Sequence, residues 1–223
     1  MVSPPPVSQL VVLAHPEPDS FCASIARRWQ ERARRNRQSC ELRDLYAEGF
    51  DPVLRAGEQP GKSGYAPLSA NLEEGQRLMQ LDVLVFVYPV WFGTPPAMLK
   101  GYLERVVGSG ISFDKEGAQT HPLASVRLVQ ISTSALSEPQ LAEKGISGAL
   151  HTIFDSYVAE VFGAKEAYHL HLDSIDEDIG EHDAAVQLRR VDELADRVCA
   201  EANAGRWERA RAEMPGRSSA GGG

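Results

Sequence analysis

Residues 10–29 read LVVLAHPEPDSFCASIARRW. The stretch opens on a continuous apolar run, LVVLA, as a strand does when it is buried on both faces. It closes on Phe21, Ile25 and Trp29 at steps of four, with Cys22, Ala26 and Ala33 beside them. That spacing predicts an amphipathic helix whose arginines lie outside. Ser20 stands where the helix begins and suits an N-cap. A buried strand running into a helix through a short polar turn is the opening of a βαβ unit.

The pattern repeats along the chain. SCELRDLY (39–46) reads as a second strand. LDVLVFVYPV (81–90) is the strongest strand signal and is stopped by Pro89. A helix follows near Pro95 and Pro96, where proline is tolerated, with Leu99, Leu103 and Val106 on one side. VRLVQIST (126–133) is a fourth strand, a helix is expected over 147–161, and KEAYHLHL (165–172) is a fifth strand. The last helix is expected from His182 to Ala204, with Leu188, Val191, Leu194, Val198 and Ala202 at helical steps. Five strands separated by helices predict an α/β doubly wound parallel sheet with helices on both faces. Residues 1–8, with SPPP, read as a disordered lead. Residues 9–204 read as one domain, and 205–223, ending MPGRSSAGGG, as a flexible C-terminal tail.

Composition narrows the partners. The chain has 223 residues, 43% hydrophobic and 24% charged, with a formal net charge of −8. An acidic chain argues against nucleic acid or an anionic membrane as main partner. The basic run RRWQERARRNR is read as the wet face of a helix. Cys22, Cys40 and Cys199 are scattered, without disulfide or CxxC metal spacing. MVSPPPVSQ lacks the features of a signal peptide, and no apolar run approaches the roughly 20 residues of a membrane span. A soluble cytoplasmic protein is expected.

Ligands of open doubly wound sheets bind beyond the carboxyl ends of the strands. That rule singles out three segments. AHPEPDSF, after the first strand, leads into a helix N-terminus whose unpaired N–H groups and dipole favour a phosphate. Ser20 could donate its hydroxyl there, and His15 a ring N–H and, if protonated, charge. It is neither a GxGxxG nor a GxxxxGK[ST] loop. On local chemistry, capping and phosphate binding account for His15 and Ser20 equally well. YPVWFGTPP gathers Tyr88, Trp91 and Phe92 among Pro89, Gly93, Thr94, Pro95 and Pro96. A rigid aromatic loop of this kind suits a flat ligand. STSALSE offers small hydroxylated residues, a weak signal alone because turns also use them. His169 and His171 share one face of the fifth strand, but no third ligand is evident, so packing is preferred to metal. Lys100 and Arg105 read as solvated. DSIDEDIGEHD reads as an exposed acidic connection.

VVLAHPEPDSF, DLYAEGFDPVL and VFVYPVWFGTPPAMLKGYLERVV together resemble the NAD(P)H quinone oxidoreductase family of flavodoxin-like flavoproteins, in order and spacing over roughly residues 9–110. The resemblance implies a flavin at the strand ends. It implies His15, Ser20, Phe21 and Cys22 at the flavin phosphates. It implies Pro89, Val90, Trp91, Phe92 and Gly93 flanking the isoalloxazine, with Ser132, Thr133 and Ser134 at its other edge. It also implies a homodimer with the site at the subunit interface. Animal members use FAD and several bacterial members FMN; FAD is the expectation, FMN the alternative. Some animal members carry a Tyr and a His after the fourth strand as a proton relay. STSALSEPQLAEKGIS has neither, so no catalytic dyad is assigned and the catalytic residues stay open.

The expected activity is ping-pong hydride transfer from NAD(P)H to the flavin, then to a quinone or similar flat electrophile. A flavodoxin-like electron carrier would show a Thr/Ser/Gly-rich first loop, which HPEPDSF is not. A regulatory subunit of a transporter is a third reading, without a docking feature in the sequence to support it.

Overall fold

The computed structural model describes residues 5–113, 118–176 and 178–212. Half of the expected lead (1–4) and the tail from residue 213 onward lie outside them. The elements run β1 (Ser8–Leu13), α1 (Phe21–Arg35), β2 (Ser39–Asp44), α2 (Ser69–Leu78), β3 (Val83–Pro89) and α3 (Ala97–Tyr102). A π-helical segment Leu103–Gly108 joins α3 to α4 (Ser109–Ile111). Then come β4 (Arg127–Thr133), α5 (Glu138–Glu143), α6 (Ile146–Leu150), α7 (Val158–Phe162), β5 (Glu166–Leu172) and α8 (Glu181–Ala212). The five strands are all parallel, in the order β2-β1-β3-β4-β5. The switch in direction falls between β1 and β3.

The alternation of strand side chains builds two cores. Val11, Val85 and Val129 face α1 and α8, where Trp29, Val191, Leu194 and Val198 are buried. Leu10, Leu84, Phe86 and Leu128 face the other way, toward Leu99, Tyr102, Val106 and Phe154. β3 and β4 are buried at every residue; β3 is accordingly an unbroken apolar run, whereas β4 also buries Arg127, Gln130, Ser132 and Thr133. The indole N–H of Trp29 donates to Gln9 Oε1 at 2.8 Å, so the one polar atom of the largest core side chain is satisfied.

Five expectations need correction. The helix expected over 147–161 is not regular: α6 passes into a π-helical segment, His151–Tyr157, before α7. The basic face of α1 is not simply wet. Arg28 pairs with Asp192 at 2.6 Å and Arg32 with Asp196, tying α1 to α8. Arg105 is 2% exposed rather than solvated, because Glu58 and Asp51 close over it. The last helix continues past Ala204 to Ala212, and Ser8 already belongs to β1.

The added turns of α8 have a physical cause. Arg206 and Arg209 reach the buried carboxylate of Asp82 at 2.7 and 2.5 Å, at the start of β3. Ser8 N–H donates to the same carboxylate at 2.9 Å. A chain ending at Ala204 should therefore lose about 1–2 kcal/mol, less than a fully buried pair because both arginines are part-exposed. Urea unfolding checks this. The double variant Arg206→Gln/Arg209→Gln should reproduce most of the loss, and a neutral result would mean that Asp82 does not need them.

Candidate active site

The carboxyl ends of β1, β3 and β4 open into a cleft of about 850 Å³. After β1 the chain turns through Pro16 and Pro18, with Ser20 N–H donating to Glu17 O at 3.2 Å. Ser20 caps α1: its Oγ accepts from Ala23 N–H at 3.2 Å. The amides of Phe21 and Cys22, in the first turn, have no intrahelical partner by position and remain available to an anion. His15 Nδ1 accepts from Glu17 N–H at 3.0 Å, which leaves its Nε2–H as the donor. Burial lowers the His15 pKa despite that hydrogen bond and the nearby carboxylates of Glu17 and Asp44. His15 is thus a neutral donor at pH 7, and the added charge imagined from sequence is not supplied.

The aromatic loop after β3 is a two-residue turn. Trp91 N–H donates to Thr94 O at 2.9 Å and Thr94 N–H to Trp91 O at 3.1 Å, across Phe92 (φ 52°) and Gly93 (φ 81°). Positive φ at both central positions is the type I′ geometry. Glycine adopts it freely, whereas phenylalanine there is strained. The turn throws Phe92 fully into solvent (106% exposed) and leaves the Trp91 ring 5.4 Å from that of His15. Among the sequence-selected residues, His15, Ser20, Phe21, Cys22, Pro89, Val90, Trp91, Thr133 and Ser134 line the one cleft. Phe92 and Gly93 do not: they form the turn beside it. Ser132 does not either, being buried behind Ser134.

Sequence reading missed part of the wall. Ile175 and Ile179 enter the cleft from the acidic connection after β5, so that segment is not merely exposed. Their only signal was two apolar residues in an acidic run. Glu17, Asp19 and Asp176 also line the cleft, and among the described residues no lysine or arginine does. The Cys22 thiol donates to or accepts from Thr133 Oγ1 at 3.3 Å, and burial pushes its pKa up to about 11 against that contact. It is a protonated packing group at neutral pH, not a nucleophile.

The arrangement fits a phosphorylated, flat, largely apolar group. The donor set is one helix N-terminus with the Ser20 hydroxyl and His15 Nε2–H. The walls are Phe21, Pro89, Val90, Trp91, Ile175 and Ile179. No cluster of three or more potential metal ligands occurs among the described residues. No helix among them is long and apolar enough to cross a membrane.

Comparison with known proteins agrees with this geometry. A family model described as flavodoxin-like fold matches residues 8–195. The chain is 31% identical over 148 residues to an uncharacterized NAD(P)H oxidoreductase of Haemophilus influenzae, covering 65% of this chain and 73% of that one. It is 29% identical over 163 residues to NAD(P)H dehydrogenase [quinone] 1 of Cavia porcellus, covering 65% and 59%. Among solved structures, the NAD(P)H:quinone oxidoreductase from Methanothermobacter marburgensis superposes with a TM-score of 0.74 at 22% identity, over 86% of this chain and 98% of that one. At that identity the last likeness speaks for the fold.

Proposed function

Because the chain belongs to the flavodoxin-like family of NAD(P)H and quinone oxidoreductases, we propose that it is a flavin-dependent reductase passing a hydride from NAD(P)H to a quinone-like acceptor. The carrying observation is the cleft at the β1/β3 switch, which brings a phosphate cradle and the Trp91 ring beside its His15 into one space. When bound, the flavin would supply the hydride-accepting and hydride-donating centre. The chain's own contribution is to hold and orient it. Phe21 and Cys22 N–H, Ser20 Oγ and His15 Nε2–H hold the phosphate. Pro89, Val90 and Trp91 bound the ring on one side, and Thr133 and Ser134 on the other.

The cradle argues for FMN over the FAD expected from sequence. It offers one set of donors, and the rest of the rim is acidic through Glu17, Asp19 and Asp176. The second phosphate of a pyrophosphate would reach beyond that one set of donors and lie against the acidic rim. One stacking space serving donor and acceptor in turn gives the ping-pong order. A cytoplasmic homodimer that closes the cleft mouth over Trp91 and the exposed Phe92 completes the reading.

The test is to release the cofactor from purified protein, identify it by chromatography, and follow NAD(P)H oxidation with a panel of small quinones. Bound FMN and steady turnover without a protein partner are expected. A colourless protein that cannot be reconstituted would overturn the reading, and turnover only with a partner protein would make it a carrier. His15→Ala should weaken flavin retention about tenfold, the worth of one hydrogen bond to a charged group. Full occupancy in His15→Ala would return His15 to a purely structural role.

A further inference from the structure

Behind the cleft, five side chains form an unbroken hydrogen-bonded line. In the β4–β5 register Gln130 faces His169 and Ser132 faces His171, so both imidazoles emerge on one side of the sheet. Ser132 Oγ lies 2.8 Å from His169 Nε2 and 2.8 Å from His171 Nδ1. Ser134 Oγ lies 2.9 Å from His171 Nε2. At the far end His169 Nδ1 is 2.8 Å from Asp155 Oδ2, which also meets His151 Nδ1 at 3.2 Å. Asp155 comes from the π-helical segment. Its Oδ1 is buried with no hydrogen-bond partner.

The two ends open to different spaces. Ser134 lines the main cleft. Asp155, His151, His169 and also His171 line a second cavity of about 450 Å³, together with Glu138 and Arg190.

Proton bookkeeping along the line gives it a direction. Ser134 has one hydroxyl proton and donates it to Leu136 O at 2.7 Å. His171 Nε2 must then donate to Ser134. Burial, ahead of the charge of His169, lowers the His171 pKa, so its Nδ1 is bare and accepts from Ser132. Ser132 has no further proton, so His169 Nε2 donates to it. His169 Nδ1 still faces a carboxylate oxygen, which needs a proton between them. The line therefore stores one extra proton on the His169–Asp155 pair.

We infer that Asp155, His169, Ser132, His171 and Ser134 form a proton relay that feeds the main cleft from the second cavity. The inference rests on the reductase reading above. Conversion of NAD(P)H, H⁺ and a quinone to NAD(P)⁺ and a hydroquinone takes one hydride from the nicotinamide and one proton from elsewhere. The relay supplies that proton. The Ser134 hydroxyl turns from Leu136 O toward the cleft, and as it gives its proton to an acceptor oxygen there, the proton of His171 Nε2 moves to Ser134. The proton of Ser132 then moves to His171 Nδ1, and that of His169 Nε2 to Ser132. Neutral His169 is left with its Nδ1–H on the Asp155 carboxylate; a solvent proton arriving through the second cavity, with the two hydroxyls and the His171 ring turning back, restores the starting line.

Several charged groups face the line and set its pH response. Glu138 of α5 and Asp173 after β5 favour protonated His171, and Arg190 of α8 opposes it. Arg190, Glu193 and Arg197 of α8 flank His169 on its other side. His151 shares the Asp155 carboxylate.

The experiment compares two acceptors on the full-length, flavin-loaded protein. A quinone takes a proton with its electrons; ferricyanide takes single electrons and no proton. In His169→Gln the ratio of quinone to ferricyanide turnover should fall about tenfold relative to the native chain. An equal fall with both, or no fall, would overturn the relay. Long-range ¹H–¹⁵N spectra of the native chain give a readout independent of turnover. They should show His169 protonated on both nitrogens, or sharing that proton with Asp155, and His171 on Nε2 alone. His171 protonated on Nδ1 with bare Nε2 would overturn the stored-proton arrangement. If neither acceptor supports NAD(P)H oxidation, the reductase reading fails, and the spectra still decide whether the line holds its proton.

Discussion

Arg105→Ala should destabilise the protein by about 3–5 kcal/mol, the range for removing one partner of a buried ion pair. Arg105 Nε donates to Glu58 Oε1 at 3.1 Å and Oε2 at 3.0 Å, and Nη2 to Oε1 at 2.9 Å. Its Nη1 reaches the Asp51 carbonyl and lies 3.2 Å from the Asp51 carboxylate. Glu58 also accepts from Arg55 N–H at 2.8 Å and Asn71 Nδ2 at 3.2 Å. Without Arg105 the Glu58 carboxylate stays buried and uncompensated. The pH dependence carries a sign. Burial pushes Glu58 up, but Arg105 and the other donors outweigh it, and its pKa lies below the usual value. A depressed folded pKa adds stability above the unfolded value, near 4.3, and loses it as pH falls through the folded one. The gap between native and Arg105→Ala chains, read by urea unfolding, should therefore be widest at neutral pH and narrow in acid. Arg105→Met with Glu58→Gln should recover part of the loss. A gap under 1 kcal/mol at pH 7 would show the pair to be dispensable.

Ser20→Asp should leave the fold intact and reduce flavin retention by a factor of about 10²–10³. Aspartate caps a helix as well as serine, so the bond to Ala23 N–H survives and melting should barely change. The new carboxylate, however, sits where the phosphate is held. Two like charges at about 4 Å repel by about 4 kcal/mol at an effective dielectric of 20, and the already acidic rim gives no relief. This substitution separates capping from binding, the two roles that local sequence could not divide. Retention unchanged with a normal melt would mean that the phosphate lies elsewhere, whereas a lowered melt would mean that the cap was damaged.

β1 and β3 were the most legible strands because burial on both faces leaves a run with little polar interruption, as in residues 83–88. α2 was not. SANLEEGQRL turns Asn71 and Glu74 inward, and Glu74 is satisfied by Tyr102 Oη at 2.9 Å and Arg43 at 2.8 Å. A polar inward face met by distant partners leaves no hydrophobic period to read. Arg105 misled for the same reason, since its counterion comes from a remote turn. In the cleft, the strand-end rule found the loops after β1, β3 and β4. It could not find Ile175 and Ile179, which arrive from a connection whose composition looks exposed. His169 and His171 stood out as a pair, but Asp155 carries no local mark. Only the wide π-helical turn puts it beside them.

The order of the strands has a consequence for how the protein is made. β3 lies at the centre of the sheet, and the face it shares with β1 and β4 is covered by α1 and α8 together. α8 is synthesised after all the strands. Until Val191, Leu194 and Val198 have left the ribosome, Val11, Val85 and Val129 stand with half their cover missing. The nascent chain therefore carries an unfinished apolar wall through most of translation, the condition in which chaperones engage and neighbouring chains stick. Early arrest would release a sticky fragment, and the molecule becomes safe only when its last helix closes.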